Sequence, residues 1–222
     1  MTPHPFIQQG CALVTMSTGL RAQSLKELRQ GVSLASDQCL HYHFWGRLLR
    51  PQFGEADFAN DFAAWVAGPV GDPATAERLN ILNPSHVPSF EDLRRDILDI
   101  LDDRLSREDF LSWARADRDF FFTDAAMIVF DTELRAHSPA ELASLVENAS
   151  QGSLFFHFVD ARRRTPDHHD DFSSWLVHAC EDPEDSPRIR ALRALDPFLL
   201  RVTELRQRVG AALRIGEEEA PA

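Results

Sequence analysis

Two apolar runs, residues 11–16 and 125–130, divide the chain into halves of similar pattern. The second run contains Met127, Ile128, Val129 and Phe130, whose β-branched and aromatic character is typical of a buried strand. Amphipathic stretches with a period of about 3.6 residues follow each run, and one of them covers residues 90–105. The pattern predicts one short strand and several helices in each half.

Serine and acidic residues mark where these helices are expected to begin. Ser24 and Ser138 are candidate N-caps, and Glu27 and Glu141, three residues later, complete capping boxes. Later helices in both halves are predicted to begin near Ser36, Asp61 and Phe90 and near Ser150, Asp171 and Val202.

The same residue types recur along the chain at a nearly constant offset. Residues 18–24 (TGLRAQS) match residues 132–138 (TELRAHS) at five of seven positions, with an offset of 114. That offset also carries His43 onto His157, whereas an offset of 110 carries Asp61 onto Asp171. Ordered matches of this kind predict an internal duplication.

We therefore expect repeat one at 10–105, a connecting helix at 106–123, repeat two at 124–214 and a frayed tail at 215–222. A single strand per repeat is unstable alone, because its backbone groups need a partner. The expected fold is mainly α with minor β. Two tandem strand-plus-helices repeats fuse into one domain about a pseudo-twofold axis, and their strands pair as a small central antiparallel ribbon.

The amino-acid composition and net charge exclude some classes of binding partner. The 222 residues carry a formal net charge of −12, which argues against a nucleic-acid backbone or an anionic membrane surface. The 16 Phe beside one Tyr indicate buried packing. Three widely spaced cysteines support neither a disulfide framework nor a zinc ribbon, and the first residues lack a signal-peptide pattern. We expect a cytoplasmic protein.

Paired histidines and aspartates are the main candidates for chemistry. His43, His157, Asp61 and Asp171 could form a His2Asp2 site if the pseudo-twofold brings both halves together. Alternatively, each histidine satisfies a neighbouring carboxylate or carbonyl, and each aspartate is an N-cap. A third Asp-Phe-x-x-Trp at residues 109–113, without a histidine helix, suggests that this pattern can simply open a helix.

Arginines form a second candidate set. Arg21 and Arg135 match in the repeat, and their guanidinium groups could bind an anionic ligand, cap a helix or pair with an aspartate. His168 and His169 have no counterpart in repeat one, so an exposed polar loop is the better interpretation there. We predict no metal site and no cofactor.

The duplicated pattern, with its His-Phe helix and Asp-Phe-x-x-Trp helix start, resembles a prokaryotic family of unknown function over nearly the whole chain. The resemblance implies a loose link to sugar-nucleotide or trehalose-type metabolism and assigns no catalytic residue.

Nucleotide-binding, zinc-protease and serine-hydrolase signatures are absent from the sequence. We therefore expect a non-enzymatic, ligand- or partner-binding regulatory protein, either a monomer or a weak dimer, that engages a small anionic ligand or another protein. The alternative is a metal-dependent enzyme with the His/Asp site at the pseudo-twofold interface.

Overall fold

The computed structural model describes residues 4–50, 58–107, 114–165 and 168–216, and it is mainly helical with one small sheet. The first half contains β1 (Phe6–Ala22), α1 (Leu25–Leu34), α2 (Asp37–Trp45), α3 (Asp61–Ala67), α4 (Pro73–Asn80) and α5 (Phe90–Leu105). The second half contains β2 (Phe120–Ala136), α6 (Pro139–Asn148), α7 (Gln151–Leu154), α8 (Ala161–Arg164), α9 (Asp171–Ala179), α10 (Pro187–Arg193) and α11 (Val202–Leu213). The expectation of a mainly α fold with minor β is confirmed.

Three shorter segments complete the described structure. Gly46–Leu48 and Pro84–His86 are 3₁₀ turns, and a π-helical segment, Phe155–Asp160, joins α7 to α8. Among the described residues, no helix is both long and apolar enough to cross a membrane.

The chain divides into two compact units, and each strand contributes to both. Unit 1 comprises Met1–Ala12 and Met127–Ala222, and unit 2 comprises Leu13–Ala126. The start of β1 therefore belongs with the helices of the second half, and the start of β2 belongs with those of the first. The sequence pattern did not predict this exchange of strand segments.

The first helix of each half begins as the serine pattern predicts. The Ser24 side chain accepts a hydrogen bond from the backbone N–H of Glu27, and Ser138 does the same for Glu141. Each glutamate reaches back to the N–H of the residue before the serine, at 2.7 Å in both halves. These contacts satisfy backbone donors that a helix start leaves unpaired.

The paired strands are far longer than the apolar runs that predicted them. Each strand has 17 residues, and together they form one two-stranded antiparallel sheet. The Thr18 hydroxyl donates to the Phe122 carbonyl at 2.7 Å, and the Thr132 hydroxyl donates to the Gln8 carbonyl at 2.6 Å. These side-chain contacts extend the strand pairing into stretches with little apolar character.

Residues 127–130 form part of a strand, as predicted, but the expectation that this strand is buried is wrong. Ile128, Val129 and Phe130 are 53%, 42% and 51% exposed. The large buried side chains of β2 lie at its start instead, at Phe120 and Phe122, and the small Ala136 is buried at its end. The side chains of a strand project from the two faces of the sheet, so apolar residues are buried only where another element covers that face.

The predicted connecting helix at 106–123 also differs from the structure. Residues 114–119 are irregular, and β2 begins at Phe120. Ala116 donates its backbone N–H to the Gln23 carbonyl at 2.7 Å, and Asp117 donates to the Pro69 carbonyl at 3.0 Å. This segment is therefore tied to unit 2 by loop hydrogen bonds. The Asp-Phe-x-x-Trp pattern at 109–113 and the predicted tail beyond residue 216 lie outside the described residues.

The composition predicts that the phenylalanines are buried. This holds in the cores of the two units but not on the sheet. Phe44, Phe62 and Phe122 are fully buried in unit 2, and Phe158 is fully buried in unit 1. Phe121, however, is 62% exposed. The buried rings surround the two histidines that the sequence nominated.

Candidate functional site

His43, on α2 in unit 2, is buried and contacts a carboxylate and a strand. Its Nδ1 lies 2.9 Å from Asp61 Oδ2 at the start of α3. The backbone N–H of Thr123 in β2 donates to its Nε2 at 3.0 Å. Arg50 Nη2 donates to both oxygens of Asp61, at 2.8 and 2.9 Å. The imidazole therefore joins two helices to the beginning of β2.

His157, in the π-helical segment of unit 1, makes the corresponding set of contacts. Its Nδ1 lies 2.8 Å from Asp171 Oδ2. The backbone N–H of Gln9 in β1 donates to its Nε2 at 2.8 Å. Arg164 Nη2 donates to Asp171 at 3.0 Å. The structure thus brings His43 together with Asp61 and His157 together with Asp171, each pair within its own unit.

The partners of each imidazole fix its tautomer. A backbone N–H can only donate, so Nε2 of His43 and of His157 must present its lone pair. The proton then sits on Nδ1, where it is donated to the aspartate. Both nitrogens of both rings are occupied by these contacts.

Aromatic rings enclose the His43 contacts. The His43 ring lies 4.8 Å from the Phe120 ring and 5.3 Å from the Phe62 ring, measured between centroids. The Arg50 guanidinium lies over the Tyr42 ring, 5.1 Å from its centroid. Excluding water in this way strengthens the hydrogen bonds of the buried imidazole.

His157 is enclosed by the same kinds of ring. The Phe6 ring lies 4.8 Å from it and the Phe172 ring 5.8 Å from it. Arg164 lies over the Phe156 ring, 4.0 Å from its centroid.

The electrostatic balance at Asp61 favours its charged form. Burial acts to raise the pKa of this carboxyl, but the hydrogen bond from His43 and the charge of Arg50 outweigh burial. The pKa of Asp61 is therefore held below its usual range.

The aspartates are not the helix caps that the sequence suggested. The N-caps of α3 and α9 are Asn60 and Asp170, whose side chains accept from Ala63 and Ser173 at 2.9 Å. Asp61 and Asp171 are the first helical residues, and their carboxylates are free to receive the histidines and arginines. The prediction of an N-cap was off by one residue.

A metal ion would find little to bind at these pairs as they stand. A metal ligand must offer a lone pair, and each imidazole already uses its lone pair on a strand N–H. Within the described ranges, no group of three or more His, Cys, Asp or Glu residues is arranged to hold a metal ion. Metal binding would first require the bond between imidazole and strand to break.

Arg21 and Arg135 lie on the strands and pair with aspartates. Arg21 Nη1 is 3.3 Å from Asp119, and the arginine side chain is largely exposed. Arg135 contacts Asp131 at 2.6 Å. The hydrogen bond that Arg135 donates to Asp131 holds the pKa of this carboxyl below its usual range. The ion-pair alternative considered from sequence therefore describes both arginines, and no described contact joins them to the histidine–aspartate pairs.

His168 and Cys11 lie outside the two histidine–aspartate pairs. His168 is exposed, and its Nδ1 lies 2.9 Å from the Arg162 carbonyl. Burial raises the pKa of the Cys11 thiol to about 11, and nearby Asp160 adds to the effect. A thiol with so high a pKa is a poor nucleophile near neutral pH.

Sequence reasoning missed two residues that complete the site. Arg50 and Arg164 are separated by 114 positions, the offset that relates His43 to His157. Extending that comparison by seven residues beyond each histidine would have found them. The strand N–H groups of Thr123 and Gln9 share the same offset, but a backbone donor leaves no mark on residue type.

Two comparisons with known proteins find similarity over nearly the whole chain. The chain is similar to OrfY from Thermoproteus tenax, with 27% sequence identity, a TM-score of 0.79, and coverage of 97% of this chain and 96% of that one. No curated protein gives a significant match. Residues 3–214 match the family of unknown function DUF5752, and the chain therefore belongs to that family.

Proposed function

We propose that this protein is a non-enzymatic binding protein, and that it contacts a protein partner through residues 128–130 of β2, here called the apolar run. One observation carries the proposal. Three consecutive large apolar side chains, Ile128, Val129 and Phe130, are each between 42% and 53% exposed in unit 1. Exposed apolar side chains on an edge strand invite association unless a partner covers them.

The corresponding stretch of β1 provides an internal comparison. Residues 14–16, which precede residues 128–130 by 114 positions, are Val14, Thr15 and Met16. This stretch is also exposed, but its middle residue is polar and it has no aromatic ring. Greater apolar area therefore distinguishes the run in unit 1 from its counterpart in unit 2.

The buried polar residues support a binding role over a catalytic one. Catalysis by a histidine requires a ring nitrogen that can reach a substrate. His43 and His157 both direct their nitrogens at the protein itself. These contacts explain why both imidazoles are buried and how they are oriented. They give each histidine a structural role, which is to join helices to a strand.

The matched contacts also support descent of the two halves from one duplicated module. Trp65 Nε1 donates to the Arg118 carbonyl at 2.7 Å, and Trp175 Nε1 donates to the His4 carbonyl at 2.8 Å. His4 and Arg118 differ by 114 positions, as do the bonded residues at each histidine. Duplication explains why two buried histidines have the same role.

Site-specific photo-cross-linking tests the binding proposal. A benzoylphenylalanine at position 130, in the full chain produced in its native cells, should give a reproducible protein adduct identified by mass spectrometry. The same group at position 16 is the control, because Met16 holds the matching place on β1. Absence of any adduct at position 130, or equal yield at both positions, would overturn the proposal.

A further inference from the structure

The open edge of β2 is defined by the direction of its backbone groups. The Phe122 carbonyl faces β1, where it accepts from Thr18, whereas the Thr123 N–H points away to His43. Backbone direction alternates along a strand, so every second residue after Thr123 also points away from β1. Val129 is one of these residues.

Around Val129 the outward backbone groups lie beside the apolar run. Among the side-chain and turn hydrogen bonds of the described residues, none reaches the backbone of Met127 or Val129. This edge therefore combines backbone donors and acceptors that point away from β1 with Ile128 and Phe130 on one face of the strand. Strand edges of this composition are natural sites for pairing with another strand.

A second copy of the same strand fits this edge by symmetry. If β2 pairs antiparallel with β2 of a second copy about Val129, Ile128 of each copy lies opposite Phe130 of the other. Opposite residues of antiparallel strands project from the same face and contact one another. Apolar contacts of this kind then form twice, as an isologous twofold interface requires.

The apolar area that β2 exposes is about four fifths of what a dimer of standard size needs. The exposed parts of the run, together with that of Leu134 further along β2, amount to roughly 390 Å² if each whole residue presents about 200 Å². A homodimer interface of about 800 Å² per partner that is about 65% apolar needs roughly 500 Å².

The charges around the run do not oppose this pairing. Residues 128–130 carry no charge, and the neighbouring Asp131 is neutralised by Arg135 at 2.6 Å. The net charge of −12 on each copy, in contrast, repels the other copy at long range. Added salt should therefore strengthen the association by screening that repulsion.

We infer that the partner of the apolar run is a second copy of this chain, which pairs through β2 about Val129 to give a four-stranded antiparallel sheet. The inference rests on the proposed function and specifies its partner. It specifies the edge of β2 that points away from β1, a register centred on Val129, and an association that strengthens with added salt.

Sedimentation equilibrium of the purified full chain tests the inference. The wild type should be a dimer at micromolar concentrations, with an association that strengthens as sodium chloride is raised. Phe130→Lys should weaken dimerisation by about 30-fold or more, as expected for an apolar anchor at the centre of an interface. Met16→Lys, at the matching position of β1, should leave dimerisation unchanged. Circular dichroism of each variant verifies folding.

Amide hydrogen exchange of the wild type gives a second readout that needs no variant. The Val129 N–H should exchange more slowly as protein concentration rises, because the dimer occupies it. A wild type that stays monomeric, a dimer that Phe130→Lys leaves intact, or exchange at Val129 independent of concentration would overturn the inference. A monomer whose position 130 still cross-links to a different protein would refute the inference and leave the proposed function standing.

Discussion

The two buried histidines are defined by what each ring nitrogen touches. The sequence nominated Asp61 and Asp171 at matched positions but left open which groups the histidines contact; in the structure each histidine contacts the aspartate of its own half. Their other contact, a strand N–H, joins residues 80 and 148 positions apart and depends only on the backbone. No residue pattern could have predicted that contact.

Replacing either histidine should therefore destabilise the protein. His43→Phe and His157→Phe preserve the apolar packing but leave the N–H of Thr123 or Gln9 without its partner. We expect each to lower the free energy of unfolding by about 1–3 kcal/mol, the cost of one unsatisfied buried donor. Urea unfolding at neutral pH measures the change, with His178→Phe at an exposed position as control. Unchanged stability in both variants would contradict a structural role.

Glu133 provides a second test at this scale. Its φ is 63°, a left-handed conformation that the matching residue of β1, Gly19, adopts with φ of 77°. A side chain is strained there, whereas glycine is not. Glu133→Gly should raise the free energy of unfolding by about 1 kcal/mol, and Gly19→Glu should lower it by about as much. Denaturant titration of both variants should show changes in the free energy of unfolding of opposite sign. Changes of the same sign would refute this explanation.

At the scale of elements, helix starts were more predictable than strand lengths. A capping serine and its glutamate act over three residues, so Ser24 and Ser138 located their helices directly. Each strand reaches 17 residues by including polar positions such as Gln8 and Gln9. These are held by contacts with distant helices and with the other strand, which a local pattern does not contain.

The start of α3 should make stability sensitive to acid. The folded-state pKa of Asp61 lies below its usual range, so its contribution is complete above the unfolded value of about 3.9. That contribution is lost as pH falls through the lower folded value. Asp61→Asn should therefore be less stable than wild type at neutral pH and should lose less stability below about pH 4. Parallel pH curves from urea unfolding would contradict this assignment.

For the whole molecule, the repeat register predicted which residues correspond but not where they meet. Each strand begins in one compact unit and ends in the other. Each histidine consequently bonds to a strand from the opposite half of the sequence, and His43 does so through Thr123. The exposure of Phe130 could not be predicted from the sequence either, because the same apolar run is also typical of a buried strand in a larger sheet.

Zinc binding separates the structural account from the metal-dependent alternative. Because both nitrogens of His43 and His157 are occupied, Zn²⁺ should not raise the melting temperature of the purified protein. Differential scanning fluorimetry with and without a modest excess of Zn²⁺ measures this. A reproducible upward shift that disappears in His43→Phe or His157→Phe would favour the metal site.

The most direct test of the central claim compares cross-linking at position 130 with cross-linking at position 16 in the same cells. If residues 128–130 are the contact surface, the benzoylphenylalanine at position 130 captures a defined protein and the one at position 16 does not. Equal capture at both positions, or none at position 130, would contradict the claim.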